Sequence, residues 1–241
     1  MTARKTSISV VIPVFNGSAY ILEAVKSVWA QKYNPLEIIV VDDGSTDRTA
    51  SIIREFTPAC RYIFQENQGP QVARNTGIRA ADGDVIGFLD ADDLWPANKL
   101  ELQLPLLVKE TGVEMVLGNT QYFREHQQTA DKAAWTEYVE PFFIIQIGCA
   151  LFRRAVFDKV GLFDPTLKYE DDFDFLLRTR EQKIPTRFVD NTTILYRRHP
   201  GNMTQEEGHQ SLSFLSLMKR SLDRRREMGI DQLDLSPWTE R

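Results

Sequence analysis

The chain has 241 residues, 42% hydrophobic and 26% charged, a balance that supports one large core and argues against a disordered or fibrous protein. Its 29 Lys and Arg against 34 Asp and Glu leave a formal charge of −5, which argues against the basic footprint of a general nucleic-acid binder. The two cysteines, Cys60 and Cys149, belong to no Cys-x-x-Cys or Cys/His cluster, which argues against a zinc site and a disulfide framework.

The first apolar run, Ile8 to Val14, contains Pro13 and ends at Phe15-Asn16-Gly17. It is too short to span a membrane and carries no small-residue cleavage site. The expectation is a soluble cytoplasmic protein, with docking on a membrane surface left open. Within that run Ile8-Ser9-Val10-Val11-Ile12 predicts a strand buried on both faces. Apolar residues at Ile21, Ala24, Val25, Val28 and Trp29 predict a helix that Pro35 interrupts. Glu37-Ile38-Ile39-Val40-Val41 predicts a second buried strand, ending in Asp42-Asp43-Gly44-Ser45-Thr46-Asp47. Ser45 or Thr46 is placed to cap the next helix, whose apolar face is Ala50, Ile53 and Phe56.

Arg61–Phe64 predicts a third strand. The loop Asn67-Gln68-Gly69-Pro70 leads into a helix through Val72, Ala73, Thr76 and Ala80, and Val85–Leu89 predicts a fourth strand running into Asp90-Ala91-Asp92-Asp93. Strands joined by helices imply a mostly parallel α/β sheet with right-handed crossovers. The second half predicts a helix at Lys99–Lys109, a strand at Met115–Leu117, a mobile loop at Arg124–Lys132, strands at Phe142–Ile147 and Ala150–Phe152, a helix at Asp171–Arg180 and a strand at Thr193–Tyr196. The stretch Phe142–Gly148 reads as a core strand, with lining of an acceptor site as the functional alternative. The tail carries Leu212, Leu215, Met218 and Leu222 at helical spacing, beside Arg224-Arg225-Arg226. That stripe fits packing on its own domain, a homodimer contact, or contact of the arginines with anionic lipid.

The position of the acids carries the functional reading. In an open parallel sheet, ligands bind beyond the carboxyl ends of the strands, and two predicted strands end there in Asp42-Asp43 and Asp90-Ala91-Asp92-Asp93. A third acidic group, Glu170-Asp171-Asp172 with Asp174, follows. Carboxylates held together repel and need a cation or donors. For Asp90 and Asp92 a hard divalent ion, Mg²⁺ or Mn²⁺, satisfies that need, with substrate phosphates completing its shell. No P-loop motif is present, and no Gly-x-Gly-x-x-Gly follows the first strand. Of the histidines, His199 in Tyr196-Arg197-Arg198-His199 lies beside cations able to face phosphate.

In order and spacing, Val10–Asn16, Val41–Asp47, Gly69 with Ala73–Gly77, and Phe88–Asp93 resemble the family 2 glycosyltransferases. Phe152–Arg154, Gly161–Asp164, Asp171–Asp174 and Tyr196–His199 continue the likeness to about Thr204. The resemblance implies the GT-A fold, a Rossmann-like α/β sheet flanked by helices. The resemblance leads to the expectation of one domain at residues 1–204, with a nucleotide-binding half at 1–98 and an acceptor half at 99–204, before a helical tail at 205–241. It implies inverting transfer of one sugar from a nucleotide-sugar donor, a UDP-sugar, to a saccharide or lipid-linked acceptor hydroxyl, with a divalent metal, as in polysaccharide biosynthesis. By position, Pro13 and Phe15 on the loop after the first strand pack the base. Asp43 pairs with the uracil edge, Gly69 lies on the covering loop, Asp90 is the ribose and metal end of Asp-x-Asp, and Asp92 is the metal ligand. The resemblance makes Asp172 the general base and places Arg197 and His199 on a segment that can close over the diphosphate. The family usually has Glu where this chain has Asp171, so a register placing the pair at Glu170-Asp171 stays open. The spanning helices and Gln-x-x-Arg-Trp motif of processive members are missing from this sequence, which implies single-sugar transfer. Two competing readings are a sugar-nucleotide-binding module without turnover and a nucleotidyltransferase; the latter normally has cations near its first strand, which Pro13–Gly17 lacks.

Overall fold

The computed structural model describes residues 5–56, 60–126, 135–144, 146–167, 170–202, 210–230 and 233. The first half alternates strand and helix: β1 (Ile8–Val14), α1 (Ile21–Trp29), β2 (Leu36–Asp43), α2 (Thr49–Glu55), β3 (Arg61–Gln65), α3 (Pro70–Ala80) and β4 (Val85–Phe88). The second half continues with α4 (Lys99–Lys109), β5 (Met115–His126), β6 (Trp135–Tyr138), β7 (Leu151–Arg153), α5 (Ala155–Val160), α6 (Asp171–Glu181), β8 (Thr186–Arg197) and α7 (Gln210–Glu227). Among the described residues no helix is long and apolar enough to cross a membrane.

One eight-stranded sheet runs β3-β2-β1-β4-β7-β5-β6, with β8 paired to β5. Strands β3, β2, β1 and β4 are mutually parallel. Strand β7 enters antiparallel to β4 and to β5, whereas β8 runs parallel to β5. The parallel register sets Val14 opposite Asp42 and Val11 opposite Phe88. The ends of β1, β2 and β4 therefore open at the same sheet edge. Every residue of β1 is buried, as a strand covered by helices on both faces requires. Helix α3 lies close against it: a methyl group on Gly77 would overlap the Val11 side chain.

A cluster of phenylalanines places the start of α6 relative to the sheet. Phe163 stacks on Phe175 of α6 with ring centroids 4.7 Å apart, and Phe88 of β4 meets Phe163 edge-on at 5.5 Å. Such pairs add to ordinary apolar burial.

Several boundaries differ from the sequence reading. Ser45 and Thr46 do not cap α2. Asp47 accepts the Thr49 N–H at 2.9 Å, while Ser45 accepts the Asn16 N–H at 2.8 Å and so serves the loop after β1. The expected strand Phe142–Ile147 is reduced to a single bridge between Phe142 and Thr120, and the chain then enters a 3-10 turn at Ile147–Cys149. Side chains take the turn's carbonyls in place of a sheet neighbour: Lys99 donates to Gly148, and Gln103 and Thr193 donate to Cys149. Of the expected loop Arg124–Lys132, residues 124–126 belong to β5, and the rest lies outside the described residues. Both cysteines are free and buried.

The tail helix packs on α6 through a face the apolar stripe does not mark. Leu217 and Ser221 are buried, whereas Leu215 is 65% and Leu222 38% exposed. Ser221 Oγ donates to Glu181 at 2.6 Å, and Arg224 reaches Glu181 and Asp174 of α6 at 2.8 and 3.0 Å. Polar bonds to two buried carboxylates select this face. The side chain of Leu212, residues 205–209, and the tail beyond Ile230 apart from Leu233 lie outside what the structure describes.

Candidate active site

The loops after β1 and β2 form one unit. Asn16 adopts a positive φ of 50°, a conformation Asn tolerates better than most residues. Its side-chain oxygen accepts the Thr46 N–H at 2.8 Å, and the Gly17 N–H donates to Thr49 Oγ1 at 3.0 Å. Beyond β1, Phe15 leaves 53% of its surface exposed. Pro13 is placed differently from the expectation: it lies inside β1, buried, opposite Val41. Strand β4 ends at Phe88, opposite Val11, so position 13 owes no ladder hydrogen bond on that side and a missing N–H does no harm.

At the end of β2 the two acids differ in task. Asp42 accepts the Ser45 N–H at 2.8 Å and the Tyr62 hydroxyl at 2.7 Å. Asp43 accepts the Gln65 amide at 2.7 Å and the N–H groups of Gln68 and Gly69 at 2.9 and 2.8 Å. Asp43 thus fixes the Gln65–Gly69 loop at the point where α3 begins. Gly69, at φ 96°, immediately precedes that helix; a side chain there would be strained and would crowd the Gln71 amide oxygen at 2.9 Å.

From the second turn of α3, Arg74 enters the centre of the site. This residue stood in the family-like motif without a role, and its only sequence signal is a charge between the core positions Ala73 and Gly77. It is 5% exposed. Its guanidinium lies 2.8 Å from Asp90, pairs closely with Asp171, and stands 3.4 Å from Asp172. Burial works against the charged guanidinium, but Asp171, Asp90 and Asp172 together outweigh it and hold Arg74 above its ordinary pKa. Asp172 Oδ2 accepts the Ile147 N–H at 2.7 Å, whereas Oδ1, the atom 3.4 Å from Arg74, has no hydrogen-bond partner among the described residues. Burial pushes the Asp172 carboxyl up to about 7; Arg74 opposes this, and Asp171 and Asp90 add to it. Asp171 is also raised by burial, against the pull of Arg74.

The turn after β4 assigns its acids separately. Asp90 and Asp92 keep about a third of their side chains exposed, 34% and 32%. Asp92 Oδ2 lies 3.0 Å from His199 Nε2 and accepts the Asn202 amide at 3.3 Å. The Gly201 N–H donates to His199 Nδ1 at 3.2 Å, which makes Nδ1 an acceptor and Nε2 the nitrogen that donates to Asp92. Burial and the neighbouring Asp90 raise the Asp92 carboxyl. Asp93 is fully buried and accepts the Arg197 N–H at 2.9 Å and the Gln146 amide at 3.0 Å.

Arg197 does not occupy the open diphosphate-facing position read from the sequence. It is 2% exposed and lies between the Tyr20 and Phe123 rings, 4.8 Å from each centroid. It donates to the Asp92 carbonyl at 2.8 Å and to Glu23 at 2.6 Å, and pairs with Glu125 at 2.5 Å. A guanidinium so engaged is a clamp between elements. His199 does lie on Asp92, as its position in the motif implies.

The structure therefore joins Asp43 to α3, and α3 through Arg74 to Asp90, Asp171 and Asp172. Asp92 lies on the same turn as Asp90, and His199, from the loop after β8, meets it there. Among the described residues no group of three or more His, Cys, Asp or Glu forms a ready metal cage. A hard cation that keeps waters and phosphate oxygens needs only one or two carboxylates, and the partly exposed Asp90 and Asp92 fit that donor set.

The family described as Glycosyl transferase family 2 matches residues 9–200. An uncharacterized glycosyltransferase of Haemophilus influenzae is 39% identical over 222 residues, covering 89% of this chain and 81% of the relative. Another, of Rickettsia typhi, is 35% identical over 179 residues, covering 69% of this chain and 56% of the relative. This chain thus spans about half the length of several curated relatives. Among solved structures, TarS of S. aureus in complex with UDP-GlcNAc superposes with a TM-score of 0.73 at 19% identity, covering 95% of this chain and 68% of that one. The mannosyltransferase PcManGT of Pyrobaculum calidifontis, in complex with GDP-Man and Mn²⁺, gives 0.65 at 18%, covering 93% and 65%. At these identities the likeness establishes the shared GT-A fold. Matched over most of its length, the chain belongs to the family 2 glycosyltransferases.

Proposed function

We propose that the domain transfers a single sugar from a UDP-sugar to an acceptor hydroxyl, with inversion at the anomeric carbon and Asp172 as general base. The observation that carries this reading is the gathering of Asp90, Asp171 and Asp172 around Arg74 at the edge where β1, β2 and β4 end. A carboxyl raised to about 7 is matched to taking a proton from a hydroxyl near neutral pH. Its Oδ1, without a hydrogen-bond partner among the described residues, is the oxygen that takes the proton as the new carbon–oxygen bond forms. This geometry favours Asp172 over Asp171, whose carboxylate is committed to Arg74.

On the donor side, Phe15 offers an exposed ring to the base. Asp43 meets the edge of the base by exchanging the Gln65 amide for a base N–H, while its two backbone partners keep the covering loop in place. A divalent cation held by Asp92 and Asp90 would supply Lewis-acid stabilisation of the leaving diphosphate. His199 orients Asp92 for that role. The relatives solved with UDP-GlcNAc and with GDP-Man and Mn²⁺ support a nucleotide-sugar donor and a divalent metal.

A thermal-shift screen tests the donor reading. UDP and UDP-sugars in the presence of Mn²⁺ should raise the midpoint, because a ligand that binds only the folded state stabilises it. No response to any nucleotide, with or without Mn²⁺, contradicts the reading.

A further inference from the structure

We infer that Gln146 is a positioning residue that ties the acidic turn after β4 to the Asp172 carboxylate. The inference rests on Asp172 being the base. Gln146 is 6% exposed. Its amide nitrogen donates to Asp93 Oδ2 at 3.0 Å, and its amide oxygen accepts the Thr120 hydroxyl at 3.4 Å. The next peptide N–H, that of Ile147, donates to Asp172 Oδ2 at 2.7 Å.

The bonded series continues past Asp93. Asp93 Oδ1 accepts the Arg197 N–H, Arg197 Nε donates to the Asp92 carbonyl, and Asp92 Oδ2 meets His199. Among the described residues, two connections therefore join the Asp90–Asp93 turn to the base. One passes through Arg74; the other passes through Asp93, Gln146 and the Ile147 peptide, without a residue that faces the substrate. The carbonyls of the 3-10 turn itself are taken by other elements: Lys99 donates to Gly148, and Gln103 and Thr193 donate to Cys149. The Gln146 amide, bonded to Asp93, thereby sets the depth of the Ile147 N–H relative to the acidic turn. Small displacements of a base from its proton are costly in rate, so the amide governs turnover without touching donor or acceptor.

The test compares Gln146→Met, which keeps the volume and removes the amide, with Asp172→Asn and the double variant. Turnover is read as UDP release with water as acceptor, from whichever of UDP-glucose, UDP-galactose and UDP-N-acetylglucosamine the wild type cleaves fastest. UDP binding with Mn²⁺ is measured by calorimetry. Gln146→Met should lower kcat about tenfold with donor KM within twofold of wild type, the pattern of an interaction that matters in the transition state. In the Asp172→Asn background the same substitution should cost nothing further, because the group it positions is gone. Should the Met variant fail to fold, Gln146→Asn keeps an amide one methylene too short to reach Asp93 and must give the same split. A rise in KM matching the fall in kcat, or a loss that multiplies in the double variant, overturns the role of Gln146 and leaves the base reading standing. Wild-type kcat in Asp172→Asn, or no cleavage by the wild type, overturns the base reading itself, and this inference with it.

Discussion

Arg74 on α3 lies 2.8 Å from Asp90, and the same guanidinium pairs with Asp171 at the start of α6. One buried cation thereby holds together two acidic segments that are 81 residues apart, with Asp172 alongside at 3.4 Å. Removing one member of a buried charged group leaves the others uncompensated, a cost of about 3–5 kcal/mol. Arg74→Met should be destabilised on that order in urea titrations at pH 8. Without Arg74 the Asp171 and Asp172 carboxyls, already raised, rise further in pKa and bind protons in the fold, so the deficit should shrink on acidification toward pH 5. Arg74→Lys should not restore wild-type stability, since an ammonium cannot span Asp90 and Asp171 in the way a planar fork does. A deficit below about 1 kcal/mol for Arg74→Met would show that the cluster does not depend on this cation.

The raised Asp172 carboxyl fixes two pH dependences of opposite sense. As a base it works deprotonated, so kcat/KM should climb as pH rises through about 7, the value burial gives it. Stability runs the other way. Because its folded pKa lies above the unfolded value of about 3.9, the fold binds the proton more tightly than the unfolded chain between those limits, and this contribution is lost as pH rises through 7. Asp172→Asn should therefore gain stability relative to wild type above pH 7 and lose that advantage below pH 4. An acid limb of kcat/KM centred near pH 4 would contradict the assignment.

Much of this site was legible because strand ends and acids coincide. The runs Ile8–Ile12 and Glu37–Val41 and the acids after them could be read directly, since a buried parallel strand leaves a β-branched run and its tip leaves the charge. The same logic failed at Gln146 and Ile147. There an apolar run looks like a strand, but side chains from α4 and β8 take the turn's carbonyls, and single-residue periodicity carries no trace of such partners. Arg197 misled because a cation in a cationic segment resembles a phosphate contact; its carboxylate partners, Glu23 and Glu125, come from distant elements. The tail misled in a related way. Its apolar periodicity suggested the stripe through Leu215 and Leu222, yet the helix docks by Leu217, Ser221 and Arg224, because Glu181 and Asp174 need partners.

That docking has a measurable consequence. Glu181 and Asp174 side chains are 1% and 3% exposed, and Arg224 retains 27%. Removing Arg224 strands two buried acids, with partial relief from solvent at the helix surface; Arg178 still pairs with Asp174 at 2.8 Å. Arg224→Met should cost about 3 kcal/mol, or roughly 6–12 °C in Tm for a domain of this size. Leu222→Ser, on the exposed face, should shift Tm by less than about 2 °C. Equal effects from the two substitutions would contradict the docking described.

The central claim is that Asp172 removes the acceptor proton in a site that independently binds a nucleoside diphosphate. The most direct measurement is initial-rate turnover of UDP-sugars by Asp172→Asn, with UDP affinity in Mn²⁺ determined on the same preparation. The account predicts a fall in kcat of about 10²–10⁴-fold, with UDP affinity within a few-fold of wild type. Turnover at the wild-type rate, with UDP binding intact, would contradict it.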